Sequence, residues 1–359
     1  MQENNFYDNN VSQQGETFAD TSVMGRIFNF FKKGGQLWEE KREIKRAANS
    51  LAVSFLFLLA FSDGWSYIYF FFTDLFGVSR QDAVLFFNDP IIMQGVQIFM
   101  SLFLFTVPFI FFYKLGGYRI SDLVILKKPN KGTTLPLFLI GISFCSFANI
   151  ATSYMETFFD IFKEIFHVDY SVNFGQNPTG IYGFILQCIS TVLVPALVEE
   201  FACRGLLLGS LKKYGEGFAV FTSAIVFGIM HGNFEQMPFA FLVGMVLGFI
   251  TIKSGTVWIA VAVHAFNNGV SVFYSYFLNT IPIQIKNITY IFFLCVSLFM
   301  GILGVILMND RDGSFFRLNN MNTASTEKQK YRWFFLRPLV IAFIGICFYD
   351  SFSYFLQLN

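Results

Sequence analysis

Three short runs in an otherwise apolar sequence carry side chains that could do chemistry together. The first runs from Pro195 to Gly205 and holds Glu199, Glu200 and Arg204. Glu200 and Arg204 are four residues apart with the acid on the N-terminal side, so on a helix they face one another as an ion pair. Glu199 points about 100° away and lacks that partner. An unpaired carboxylate in a partly wet, low-dielectric cavity suits a general base that activates water, and Glu199 is the base expected here. In the second run, Phe227 and His231 are also four apart, so an aromatic ring sits one turn below an imidazole and can hold it. In the third, His264 and Asn268 project from one helix face; two donors converging on a point can stabilise a developing oxyanion, each worth about 3 kcal/mol.

The elements that position these residues must be membrane helices. The chain has 359 residues, 54% hydrophobic and only 14% charged, with 51 phenylalanines, a balance that excludes an ordinary water-soluble fold. Apolar segments fit to span a bilayer fall at roughly 49–72, 91–114, 133–160, 179–211, 216–232, 236–252, 256–278, 287–308 and 338–356. The fold expected is an all-α polytopic membrane protein of about eight to nine transmembrane helices with a buried polar active site. Of the 25 Lys and Arg residues, only Arg80, Lys163 and Lys286 fall on one side of this parse, with Arg204 inside a segment. Short cytoplasmic loops are the basic ones, which places the N-terminus in the cytoplasm and the chain in the cell membrane as a multi-pass protein. Net charge is +1, so no global field points to nucleic acid.

The parse divides the chain into residues 1–48, a cytoplasmic segment; 49–178, the N-terminal transmembrane helices; 179–278, the catalytic core; and 279–359, the C-terminal helices with a basic loop. Residues up to about 22 are Asn- and Gln-rich, read as disordered, and lack the apolar core of a secretory signal. Val23 to Lys33 alternates apolar and basic residues, which reads either as an interfacial helix or as a flexible lead-in. Cys145, Cys188, Cys203, Cys295 and Cys347 have no CxxC spacing and read as buried apolar packing rather than disulfides or a zinc knuckle. His167 reads as solvated surface, and Gly244 and Gly248 as a GxxxG packing face.

Depth sets a constraint. At about 1.5 Å per residue, Glu199 and His231 both lie roughly 21–22 Å from the basic ends of their helices, whereas His264 comes out about 10 Å shallower. The third run therefore needs tilt, an offset helix start or a re-entrant segment to join the other two.

Taken in order within about 70 residues, Glu199-Glu200-x-x-x-Arg204, Phe227-x-x-x-His231 and His264-x-x-x-Asn268 resemble the CPBP (Abi) family of CAAX prenyl endopeptidases and bacteriocin-processing or bacteriocin-immunity proteins. The resemblance extends to Arg204-Gly205-x-Leu207 and covers roughly 179 to 275. It implies an intramembrane endopeptidase in which Glu199 and His231 activate water, His264 and Asn268 form the oxyanion hole, and Glu200 with Arg204 supports the first helix. The implied substrate is a peptide or membrane protein in contact with lipid, with room for an accessory membrane partner. Cys203 stands where relatives often carry a bulky apolar residue. The family is often described as metal-dependent; two histidines and a carboxylate would suit zinc or another divalent metal, but there is no HExxH run, and Glu199 needs no ion to activate water. The competing reading is a non-catalytic immunity or partner-binding protein of the same fold.

Overall fold

The computed structural model describes residues 23–124, 126–129, 131–168, 170, 178–277, 281–308 and 313–355, with the side chains of 23–29, 63, 66, 72 and 131 excluded. The expectation for residues 1–22 lies outside this range. Among the described residues the regular structure is helical and no strand occurs. In chain order, leaving aside the single turn Ile120–Leu123, the helices are α1 (Val23–Leu75), α2 (Arg80–Phe87), α3 (Pro90–Leu115), α4 (Lys131–Phe166) and α5 (Gly180–Tyr214). They continue with α6 (Glu216–Ile229), α7 (Gln236–Ser254), α8 (Trp258–Phe277), α9 (Ile283–Met308), α10 (Glu327–Phe335) and α11 (Pro338–Ser353).

The nine apolar segments expected from the sequence are all helical, and the fold is an all-α polytopic membrane protein. Six helices are long and apolar enough to cross a bilayer: Phe30–Ser62 within α1, then α3, α4, α5, α7 and α9. A seventh span results if α10 and α11 count as one despite their 70° bend. This measure is lower than the eight to nine of the sequence reading for physical reasons. Helix α6 has 14 residues, about 21 Å, short of a hydrocarbon core of about 30 Å. Helix α8 carries His264, Asn267 and Asn268 at its centre. The stretch Val23–Lys33 is helical and runs without a break into the rest of α1.

Local sequence sets the helix ends. Asp89 caps α3, its Oδ1 accepting from the backbone N–H of Ile91 and Ile92, with Pro90 at the first helical position. Gly215 (φ 136°) makes the reversal between α5 and α6, and Gly255 (φ 64°) ends α7, both in conformations that L side chains rarely adopt. These two turns bring α5, α6, α7 and α8 back on one another.

Helix α4 is the hub, packing on α7, α8 and α9, while α1 packs on α3, α10 and α11. Leu137 and Cys145 of α4 meet Val243, Leu247 and Ile250 of α7 and Ile259 and Val263 of α8 in one buried cluster. Helices α6 and α7 pack closely: a Cβ on Gly244 would lie 3.0 Å from the Ala224 Cα, and one on Gly248 3.2 Å from Val220, so the GxxxG face is a contact between them. Helix α9 has the highest mean hydropathy, 2.8, yet only 17% of its apolar window is buried inside the protein. Its outward residues, including Phe292, Phe299 and Ile306, face lipid.

At the basic end, Glu40 of α1 is buried and accepts from the backbone N–H groups of Ala324 and Ser325. Buried Lys330 of α10 donates to the Tyr214 carbonyl and to Glu327. Both charges are satisfied, so the loop before α10 is fixed to α1 and α10 to the end of α5.

Candidate active site

Helix α5 is not a uniform α-helix. Two π-helical segments, Cys188–Leu193 and Phe201–Leu208, flank a short α-helical stretch, Val194–Glu200, which bears both glutamates. Such wide turns occur often at functional sites because they rotate side chains out of the α register. One cause can be read from Pro195: having no N–H, it leaves the carbonyl of Thr191, four residues back, without an α-helical donor. The Asn268 side chain of α8 supplies one, with Nδ2 donating to the Thr191 oxygen at 3.0 Å. Buried Ser190 donates to Gln94 of α3, a second polar tie to this segment.

The ion pair expected from the sequence is present and wholly buried: Arg204 Nη1 donates to Glu200 Oε1 at 2.8 Å, with both side chains inaccessible to solvent. Arg204 also donates through Nη2 to the Gly244 carbonyl at 3.3 Å, and its guanidinium lies 4.1 Å from the centroid of the Phe227 ring. One cation is therefore shared among α5, α6 and α7. A buried ion pair offsets its desolvation cost only with such additional partners.

Glu200 has a second role that spacing does not reveal. Its Oε1 lies 3.0 Å from Nδ1 of His264, so the carboxylate holds the imidazole as well as the guanidinium. His264 therefore sits at the depth of Glu200, and the 10 Å offset of the sequence arithmetic disappears. A π turn packs more residues per turn than an α turn, so residues 201–208 cover less depth than 1.5 Å each. His264 is 5% exposed.

His231 lies just beyond the end of α6 and is half-buried. Its Nδ1 is 2.7 Å from the Phe227 carbonyl oxygen, and since a carbonyl only accepts, Nδ1 carries the proton and Nε2 is left free. The Phe227 ring stands 5.1 Å from the His231 ring and 5.8 Å from the His264 ring, edge-on to both. Glu199 is close enough to His231 for the two charges to interact. Its Oε2 is buried and takes no hydrogen bond from the protein. The structure thus joins Glu200, Arg204, Phe227 and His264 by direct contact, and sets Glu199 and His231 against them.

Two residues that sequence reasoning passed over lie behind Asn268. Asn267 Nδ2 donates to Asn268 Oδ1 at 3.4 Å, and Asn149 Nδ2 of α4 donates to Asn267 Oδ1 at 3.1 Å and to the Cys145 carbonyl at 3.0 Å. Three amides therefore run in one direction, donor to acceptor, from α4 to the freed carbonyl of Thr191. The signal for Asn149 was its isolation in an apolar helix, where an amide must find a partner.

The remaining candidates are structural. Cys203 is buried with Sγ 3.9 Å from Met230 Sδ, and His167 is exposed in the loop after α4. Among the described residues no three His, Cys, Asp or Glu side chains are grouped to hold a metal ion, so they do not fit a resident zinc as they stand.

Residues 181–270 match the model of the family described as Type II CAAX prenyl endopeptidase Rce1-like. The matched stretch runs from the first turn of α5 into α8 and contains Glu199, Glu200, Arg204, Phe227, His231, His264 and Asn268. It accords with the resemblance read from the three motifs. No curated protein and no solved structure gives a significant match to the chain.

Proposed function

We infer that this integral membrane protein is an intramembrane endopeptidase that hydrolyses a peptide bond in a membrane-associated protein or peptide, using water activated by Glu199 and His231. The observation that carries the reading is the way the two imidazoles are held. Each has Nδ1 tied to a fixed partner, His231 to the Phe227 carbonyl and His264 to Glu200, and each is braced by the edge of the same phenyl ring. Both Nε2 atoms are thereby left for a substrate, and Glu199, close to His231, has an Oε2 that no protein group holds.

In this reading Glu199 takes a proton from water as the hydroxyl oxygen adds to the scissile carbonyl carbon, and the lone pair on Nε2 of His231 orients that water. The carbonyl oxygen becomes an oxyanion. It is met by Asn268, whose second amide N–H is not used by Thr191, and by the ring of His264, which Glu200 holds in place through Nδ1. The C–N bond then breaks as the proton held by Glu199 passes to the leaving amine. Arg204 and Glu200 act by positioning His264. No step is routed through a metal ion.

The membrane orientation belongs to the same proposal. Lys212, Lys213 and Lys253 lie at one end of the bundle with the basic loop before α10, and that end is the cytoplasmic one if short loops follow the usual charge bias. The test compares membrane and secreted peptides, by terminal-labelling mass spectrometry, between cells with the wild-type protein and cells with Glu199→Gln at equal abundance. New termini present only with wild type name the substrate. No change in termini, with the native phenotype intact, would replace the protease with a non-catalytic immunity or partner-binding protein.

A further inference from the structure

At the basic end of the bundle a cavity of about 350 Å³ enters between α5 and the α7–α8 turn. Its volume lies within the range of small-ligand sites. The walls are apolar, from Leu123, Leu208, Ile252, Val257 and Met321, and the mouth carries Lys212 and Lys213. Arg204 lines it from below. That residue is 1% exposed, and its Nε is buried without a hydrogen-bond acceptor, although both of its Nη atoms are taken.

The charges around the mouth do not cancel. Lys213 is 4.0 Å from Glu43, and the Glu216 carboxylate accepts from the backbone and side chain of Asn319 at 2.7 and 3.2 Å. Lys253 donates to the Arg317 carbonyl. Lys212 is different: it has no carboxylate partner among the described residues, and the charge of Lys127, which does not line the cavity, repels it. An unpaired Lys212 with Lys213 beside it over an apolar shaft, and a donor lacking an acceptor at its base, form a site for an anion attached to carbon.

We propose that this cavity binds a phosphate-bearing amphiphile or metabolite, with Lys212 and Lys213 at the mouth taking the phosphate and the apolar walls taking the carbon skeleton. Basic pockets between helices at the cytoplasmic face suit anionic headgroups, and each lysine near a membrane surface contributes about fivefold in affinity. The cavity lies apart from Glu199 and the Nε2 atoms of the two histidines, so binding does not depend on the protein being a protease.

The full chain in nanodiscs tests the site. In one arm, native mass spectrometry of discs containing equal phosphatidylglycerol and phosphatidylcholine reads the lipid retained. In the other, phosphatidylcholine discs receive glycerol 3-phosphate or inorganic phosphate, and the melting temperature is read. Preference for phosphatidylglycerol identifies a headgroup as the source; stabilisation by the soluble phosphates identifies a metabolite. Either signal should fall by an order of magnitude or more in Lys212→Gln/Lys213→Gln and survive in Lys212→Arg/Lys213→Arg. Glu216→Gln, which removes the one carboxylate lining the cavity, should strengthen it. No preference and no stabilisation in the wild type, or a signal unchanged in the Gln pair, overturns the proposal.

Discussion

Nδ1 of His264 and Nη1 of Arg204 converge on the same oxygen, Oε1 of Glu200, at 3.0 and 2.8 Å. A single buried carboxylate oxygen therefore couples the helix of the two glutamates to the helix of the proposed oxyanion donors. Both glutamates keep a buried Oε2 without a protein hydrogen bond, but Glu200 is tied through Oε1 to two partners, whereas nothing in the protein holds Oε2 of the adjacent Glu199. Two neighbouring carboxylates thus divide between holding the site and acting in it.

That division predicts different consequences for the same substitution. Glu199→Gln should abolish peptide hydrolysis with little change in melting temperature, because no protein hydrogen bond to Oε2 is lost. Glu200→Gln should cost about 3–5 kcal/mol of stability, since it leaves Arg204 buried and without its counter-charge. Thermal unfolding of the two purified variants in the same detergent, alongside cleavage of the substrate, checks both. Equal melting losses in the two variants would remove the distinction.

Asn149 lies outside the three motifs, on α4, yet it orients Asn267 and through it Asn268. Asn149→Leu should lower kcat about tenfold while leaving KM unchanged, because the amide acts on the oxyanion donor and not on bound substrate. The buried Oδ1 of Asn267 would lose a donor, at a cost of about 1–3 kcal/mol. Steady-state kinetics distinguishes this from a packing role, in which KM and expression would change and kcat per folded molecule would not.

Pro195 frees the Thr191 carbonyl that Asn268 uses. Pro195→Ala restores a backbone N–H that competes for that oxygen, so Asn268 should lose its fixed orientation. Expected is a fall in activity with stability unchanged or raised, the reverse of an ordinary destabilising change. Activity and melting temperature measured on one preparation decide it; wild-type turnover in Pro195→Ala would show that the freed carbonyl does not position Asn268.

Glu235, in the loop just before α7, has its carboxyl raised above the usual range by burial and then by the nearby charges of Glu156 and Asp160. A raised carboxylate favours the folded state in its protonated form, so the side chain becomes destabilising as pH rises through its folded value. Glu235→Gln should therefore increase the melting temperature at pH 8 and make little difference at pH 4, just below the ordinary glutamate value. A melting series across pH 4–8 reads the sign, and an increase confined to low pH would contradict it.

Residues four apart on a helix face each other whatever surrounds them, so the Glu200–Arg204 pair, the placement of Phe227 below His231 and the shared face of His264 and Asn268 were legible in the sequence. The apolar segments were legible for a similar reason: lipid requires about 20 apolar residues per crossing, and the demand is local. The contacts between helices were not. That Glu200 holds His264, that Asn268 reaches Thr191 and that Asn149 stands behind both depend on the rotation, offset and tilt of α4, α5 and α8, which hydropathy leaves undetermined. The π segments of α5 show the limit most plainly. They shift the register of residues 188–193 and 201–208 and shorten the helix, and only the packing of α5 against α3, α6 and α8 decides where a backbone hydrogen bond is given up for a side chain from a neighbour.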